Sequence, residues 1–427
     1  MNPLVAMLIF SAGFVLLMTA AFVLRRRGMS AEGTRKLMHV GMGLATLTFP
    51  WLFQESWPVL VLTGGFVFIM LALRFIPGLR GVVCGVSRVS LGEVYFPLAV
   101  GGLFVLTQGR PVEYVIPILV LTLADAAAAL TGVKVGKHKY SADEGMKSWE
   151  GTAVFCAVAF LCTFLPLTLG GGVDWQRAAL TALCVSLIGG IVEATAWQGI
   201  DNLLLPFSTL LMLRIYPDLK LSQLWLRLLL LVALAAIFLV MRRRTLMREG
   251  TMLGALLAIY LCWVFGDPRW VVAPLLVILL HRVPARWTPE GLELNHVGHH
   301  ALLAFILPAL AWVFAYRFAV PWHCFAAFHA AIAAHLAMTV LALWRSDLRG
   351  GCRLAIPAVL AALLVVGLPW WWTEQNPEYS TALRGACAVI AAALAWHFIL
   401  RRIGDGPALE HWAWRGALAS AASLAVI

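Results

Sequence analysis

The chain has 427 residues, 62% of them hydrophobic and only 12% charged, with a mean hydropathy of +0.87. That balance excludes a soluble or disordered chain and predicts an all-α, polytopic transmembrane protein. The formal net charge of +11 comes from Lys and Arg in short loops between apolar runs, so it points to membrane sidedness. No basic face with stacking aromatics suggests nucleic acid as a partner.

In chain order, apolar runs fall at 3–24, 37–53, 57–73, 94–107, 112–131, 150–169, 178–196, 203–216 and 222–241, then at 251–265, 270–281, 299–316, 322–344, 354–372, 382–400 and 408–427. Several are shorter than the roughly 20 residues of an upright span, which sets the expectation at about 14 to 16 membrane segments. The first run is followed by Arg25, Arg26 and Arg27 and preceded by no basic residue, so it is expected to be an uncleaved span with its N-terminus outside. Strict alternation then places the Lys134 to Lys147 loop, Arg242 to Arg244, Arg345 with Arg349 and Arg401 with Arg402 on the cytoplasmic side. The run from Arg242 to Arg248 is the best internal boundary, and it separates residues 1–244 from a second transmembrane region at 245–427. Eight cysteines without CxxC spacing suggest small buried hydrophobes, not disulfides or zinc ligands.

Residues 132–151, GVKVGKHKYSADEGMKSWEG, form a polar island in this hydrocarbon background. In a membrane protein such a stretch sits in water or lines a cavity. Just before it lies Asp125, toward the cytoplasmic end of its run; Glu193, Asp201 and Asn202 approach the same face from further along. An ionisable group within a span is costly and is a functional candidate by default. Carboxylates beside lysines and glycines are what a magnesium nucleotide site needs. Mg²⁺ takes one or two carboxylates with phosphate oxygens and water, while ammonium and backbone N–H groups neutralise phosphate. Packing alternatives stand beside this reading: Asp125 bonded to Thr122, Glu193 sheltered by the Gly189, Gly190 pair, and Lys134, Lys137 and Lys139 serving only as sidedness charges. Lys147, Ser148, Glu150 and Gly151 carry a tighter signal, because a lysine precedes a span that Ser148 can cap.

Glu32, Arg35, Lys36, His39 and Gly43 recur at intervals of three and four and share one helical face entering the second run. Glu93 is a further acid beside a span, without a role that its spacing defines.

The motifs EGTRKLMHVGMG, LGEVYFPL, LADAAAALTGVKVGKHKY, GMKSWEGT and EATAWQGIDNLLLPF, in that order, resemble those of the phytol kinase and dolichol kinase family, relatives of the membrane phosphatidate cytidylyltransferases. The resemblance covers about residues 30 to 240. It implies transfer of a terminal phosphoryl group, usually from CTP and otherwise from ATP, to the hydroxyl of a long-chain isoprenoid alcohol drawn from the bilayer, with Mg²⁺ as cofactor. Carried over by motif, Asp125 and Asp201 would be metal or nucleotide ligands. Gly132, Gly136, Lys137, Lys139, Lys147, Ser148, Glu150, Gly151 and Asn202 would line the nucleotide site, and Glu193 would face the acceptor. Glu32, Arg35, Lys36, His39 and Glu93 would support them. The Lys-Asp and Pro-Gly-His-Gly-Gly-type signature of the cytidylyltransferases is missing, and Asp201 with Asn202 stands in its place. A cytidylyltransferase and a cation-coupled transporter remain as alternatives.

Beyond residue 245 the main polar feature is His296, His299 and His300, which share a helix face at HxxHH spacing. His323, His329 and His335 are six apart and rotate off a common face, so they supply no further ligand boxes, and His296, His299 and His300 are expected in an interfacial loop, not a di-iron site. This half is expected to accommodate a lipid tail or a homo-oligomer contact.

Overall fold

A computed structural model describes residues 2–75, 91–142, 145–242, 247–280, 299–318, 323–343, 359–360, 362–367, 370, 379–403 and 408–426. The fold is helical and polytopic, as its composition requires. Among the described residues, six helices are long and apolar enough to cross a membrane, and six shorter apolar helices accompany them. The expected run at 354–372 lies only partly among the described residues. The chain divides into two compact units, Met1–Ala233 and Leu234–Ile427.

The first unit begins with α1 (Pro3–Arg26), whose start is set by Pro3 at the first helical position and by Asn2, which accepts the Leu4 N–H at 2.9 Å. Next come α2 (Ala31–Thr46), capped by Ser30, then the short α3 (Phe49–Leu52), α4 (Ser56–Phe75) and α5 (Gly92–Leu106). The following helix, α6 (Pro111–Lys134), is interrupted at Val120–Ala124 by a π turn. A two-stranded antiparallel hairpin, β1 (Lys139–Ala142) and β2 (Gly145–Ser148), interrupts the all-helical pattern within the polar island. Four more helices complete the series: α7 (Trp149–Leu169), α8 (Trp175–Thr195), α9 (Asp201–Ile215) and α10 (Leu221–Met241).

Glycines set the closest approaches. A Cβ on Gly43 would collide with Thr122 Oγ1, so the bare α2 backbone presses against the π turn of α6. Gly189 and Gly190 do the same for α8, where added Cβ atoms would meet Phe155 at 3.1 Å and Cys156 Sγ at 2.8 Å. At the other end of α6, Glu113 receives Arg110 and Arg214, each at 3.0 Å, and ties α6 to α9.

In the second unit the described helices are α11 (Glu249–Phe265), α12 (Arg269–Leu280), α13 (His299–Phe318), α14 (Cys324–Leu343), α15 (Tyr379–Ile403) and α16 (Ala408–Leu424). The last four pack against one another around an apolar interior that includes Ala334, Met338, Ala393 and Trp396.

Candidate functional site

Close packing of α2 on α6 at Gly43 brings the polar face of α2 to Asp125, the residue at which α6 resumes after its π turn. Lys36 Nζ donates to Asp125 Oδ2 at 2.6 Å, with the two side chains 7% and 17% exposed. His39 Nε2 lies 3.5 Å from the same oxygen and 3.1 Å from the Leu121 carbonyl. His39 also meets the Phe96 ring edge-on at 5.3 Å, which docks α2 against α5. Arg35 adds its charge to this field. Asp125 therefore has charged partners on α2 and does not rely on Thr122, whose buried hydroxyl has no hydrogen-bond partner. π turns are frequent at functional sites.

The hairpin delivers the second cation. Tyr140 packs on Trp149 at 4.8 Å and its hydroxyl bonds Thr152 at 3.0 Å, fixing the hairpin on the start of α7. Ser148 caps α7 by accepting the Gly151 N–H at 3.1 Å. The glycines of the island crowd around this cap: a Cβ on Gly132 would meet Ser148 Oγ at 3.1 Å, and one on Gly136 would meet Ser148 Cβ at 2.7 Å. On Gly151 it would meet the Ala128 carbonyl at 2.9 Å. Glu150, in the first turn of α7, accepts the His138 N–H at 3.1 Å and contacts His138 Nδ1 at 2.7 Å, closing the base of the hairpin.

With its strand so placed, Lys147 Nζ donates to Glu193 Oε1 at 2.9 Å and also to the Glu193 carbonyl. Burial alone would lower the Lys147 pKa, but the carboxylates of Glu193, Asp201 and Asp125 outweigh it and hold the ammonium above its ordinary value. Its stabilising contribution is therefore present below the ordinary lysine value and is lost only as pH rises through the raised one.

Between Glu193 and Asp201 the chain turns through left-handed backbone, with φ of 51° at Gln198 and 77° at Gly199. Two bonds tie this turn to α5: Leu91 N–H to the Gln198 carbonyl at 2.9 Å, and Asn202 Nδ2 to the Gly92 carbonyl at 3.1 Å. Asp201 opens α9, half-buried, and lies in the field of Asp125, Lys147 and Glu193. Among the described residues it pairs with no cation, and its Oδ1 accepts only the Asn202 N–H at 3.0 Å.

Lys36, His39, Asp125, Lys147, Glu193 and Asp201 thus converge from α2, α6, the hairpin, α8 and α9. Lys137 and Lys139 are exposed and stand outside these pairs, while Glu93 is half-buried in the first turn of α5. His296 and the side chains of Glu32 and His299 lie outside the described residues. Two ties have no counterpart in the sequence reading: the bond from Asn202 to α5 and the pairing of Glu150 with His138. The only signal for the second is a histidine and a glutamate flanking the two short strands. A surface cavity of about 240 Å³, lined by Gln54, Phe104, Gln108 and Arg110 among others, opens near the start of α6, some 14 residues or about 20 Å along the helix from Asp125.

Fold and site together define a polytopic membrane protein with paired charges gathered at one end of its first unit. The chain is 35% identical over 201 residues to the phytol kinase of Synechocystis sp., a match that covers 45% of this chain and 82% of that relative. It belongs to the phytol kinase family. No family model and no solved structure matches it.

Proposed function

We propose that the protein is an integral membrane kinase that transfers the terminal phosphoryl group of a nucleotide, CTP in preference to ATP, to the hydroxyl of an isoprenoid alcohol such as phytol or a polyprenol. The observation that carries this reading is the meeting of two lysines and three carboxylates from segments far apart in sequence, in a relative of a phytol kinase. Phosphoryl transfer asks a protein mainly for positioning and charge neutralisation, and these residue types supply both.

Magnesium fits the donor set in one particular way. No group of three His, Cys, Asp or Glu side chains suited to a metal occurs among the described residues. Asp201, without a cation of its own, suits an ion that completes its shell with phosphate oxygens and water, and Asp125 is near enough electrostatically to share that role. Such an ion would neutralise charge on the phosphates. Lys147 would bind the nucleotide phosphates, held at the mouth of the site by the capped and glycine-packed hairpin. Lys36 would add a second positive charge, oriented by Asp125 and His39. Glu193, released from Lys147 when that lysine turns to phosphate, would face the acceptor hydroxyl. The alcohol would enter sideways from the lipid, and the nucleotide from the cytoplasm, where the proposed topology puts the hairpin.

The test is purified full-length protein incubated with phytol or a polyprenol and γ-labelled CTP or ATP. Label in the lipid is the expected result. Pyrophosphate release with CMP incorporated into lipid would replace this reading with a cytidylyltransferase, and no transfer from either donor to any isoprenoid alcohol would end it.

A further inference from the structure

The second unit holds a buried cation that is not among the residues of the candidate site described above. Arg415, near the middle of α16, is 5% exposed. Its guanidinium carbon lies 4.3 Å from the Trp412 ring centroid and 4.8 Å from that of Trp396. Among the described residues it forms no ion pair and no hydrogen bond, and its Nε is buried without an acceptor. Trp396, fully buried, has an Nε1 in the same condition. His411 packs edge-on against Trp396 at 5.8 Å, and His335 stacks on Trp412 at 6.1 Å. The neighbouring residue, Gly416, faces α13, where a Cβ would be in ordinary contact with Ala304 Cα at 3.4 Å.

A guanidinium keeps its charge when buried, and an uncompensated charge inside a bundle is strongly destabilising. The two indole faces offset part of that cost but accept none of the N–H bonds. Both unpartnered atoms are donors, so the group that would complete this cluster is an acceptor bearing negative charge. The planar fork of arginine matches a pair of oxyanion oxygens. In a bilayer the abundant oxyanions are phosphates, carried on lipid headgroups or free at the surface.

We propose that Arg415, with Trp396 Nε1, forms a binding site for a phosphate-class oxyanion in the second unit, separate from the nucleotide chemistry of the first. The test uses the full chain in phosphatidylcholine nanodiscs, with dioleoyl phosphatidate added to the bilayer in one arm and inorganic phosphate to the buffer in the other. Binding is read by native mass spectrometry of retained lipid and by tryptophan fluorescence. The wild type is expected to retain phosphatidate over phosphatidylcholine, or to respond to phosphate if the free ion suffices. Arg415→Met should lower that binding at least about tenfold, and Arg415→Lys by less, since lysine keeps the charge but loses the fork. If Arg415→Met does not fold, Trp396→Phe keeps an aromatic face, though a smaller one, and removes one donor, with a several-fold loss expected. Equal binding by wild type and the variants, or no response of the wild type to either probe, overturns the proposal.

Discussion

In the first unit Lys36 is buried with its anion, Asp125, at 2.6 Å, whereas in the second Arg415 is buried against two tryptophans with no anion among the described residues. Both are cations removed from water, but the first is paired with a carboxylate and the second has no acceptor among the described residues. Internal pairing stabilises a site before substrate arrives; a buried donor without an acceptor among the described residues leaves a place that a ligand could complete. Within the first unit the same contrast recurs on a smaller scale, since Asp125 and Glu193 each hold a lysine while Asp201 holds none among the described residues.

Substitutions can break or sharpen that contrast. The largest effect is expected from Asp125→Asn, which should reduce transfer of label to the alcohol about 100-fold or more. It should also cost stability, about 3 to 5 kcal/mol, because Lys36 is left buried without its anion. Combining it with Lys36→Met should restore the thermal midpoint in detergent but not the transfer, and recovery of both would mean that the pair is structural only. Asp201→Asn should lower activity by a similar factor of about 100 but differ in stability, with a higher Mg²⁺ requirement and a thermal midpoint close to wild type. Lys147→Met should raise the nucleotide KM about tenfold or more, read from initial rates against donor concentration. Gly43→Ala, which drives a methyl group into Thr122, should destabilise by about 1 to 3 kcal/mol in a thermal unfolding assay. The smallest change is expected from Ser148→Ala, about 1 kcal/mol of lost capping with transfer largely kept.

Much of this architecture is legible in the amino-acid sequence. Apolar runs mark most helices to within a few residues, since a hydrocarbon solvent leaves the backbone little alternative. The polar face of α2 is visible as a three-and-four periodicity, but its partner is not, because Lys36 and Asp125 are 89 residues apart and only packing at Gly43 joins them. The hairpin is hidden for a different reason. Each strand has four residues, too few for alternation to stand out among lysines and glycines, and only Tyr140 and Ala142 mark the buried side of the first. The resemblance places Gly132, Gly136 and Gly151 at the nucleotide site, and the structure adds a packing reason for each around Ser148 that spacing alone does not reveal. No local pattern announces the π turn, which breaks helical spacing without any change in residue type.

That wide turn at Val120–Ala124 also sets the rotational phase of α6. Upstream, Glu113 is locked to Arg110 and Arg214; downstream, Asp125 is locked to Lys36. Each residue advances a helix by about 100°, so deleting one residue inside the turn would swing one of these anchors away from its partner by that angle. The length of this segment is therefore more tightly constrained than its composition: conservative replacements there should be tolerated far better than any insertion or deletion.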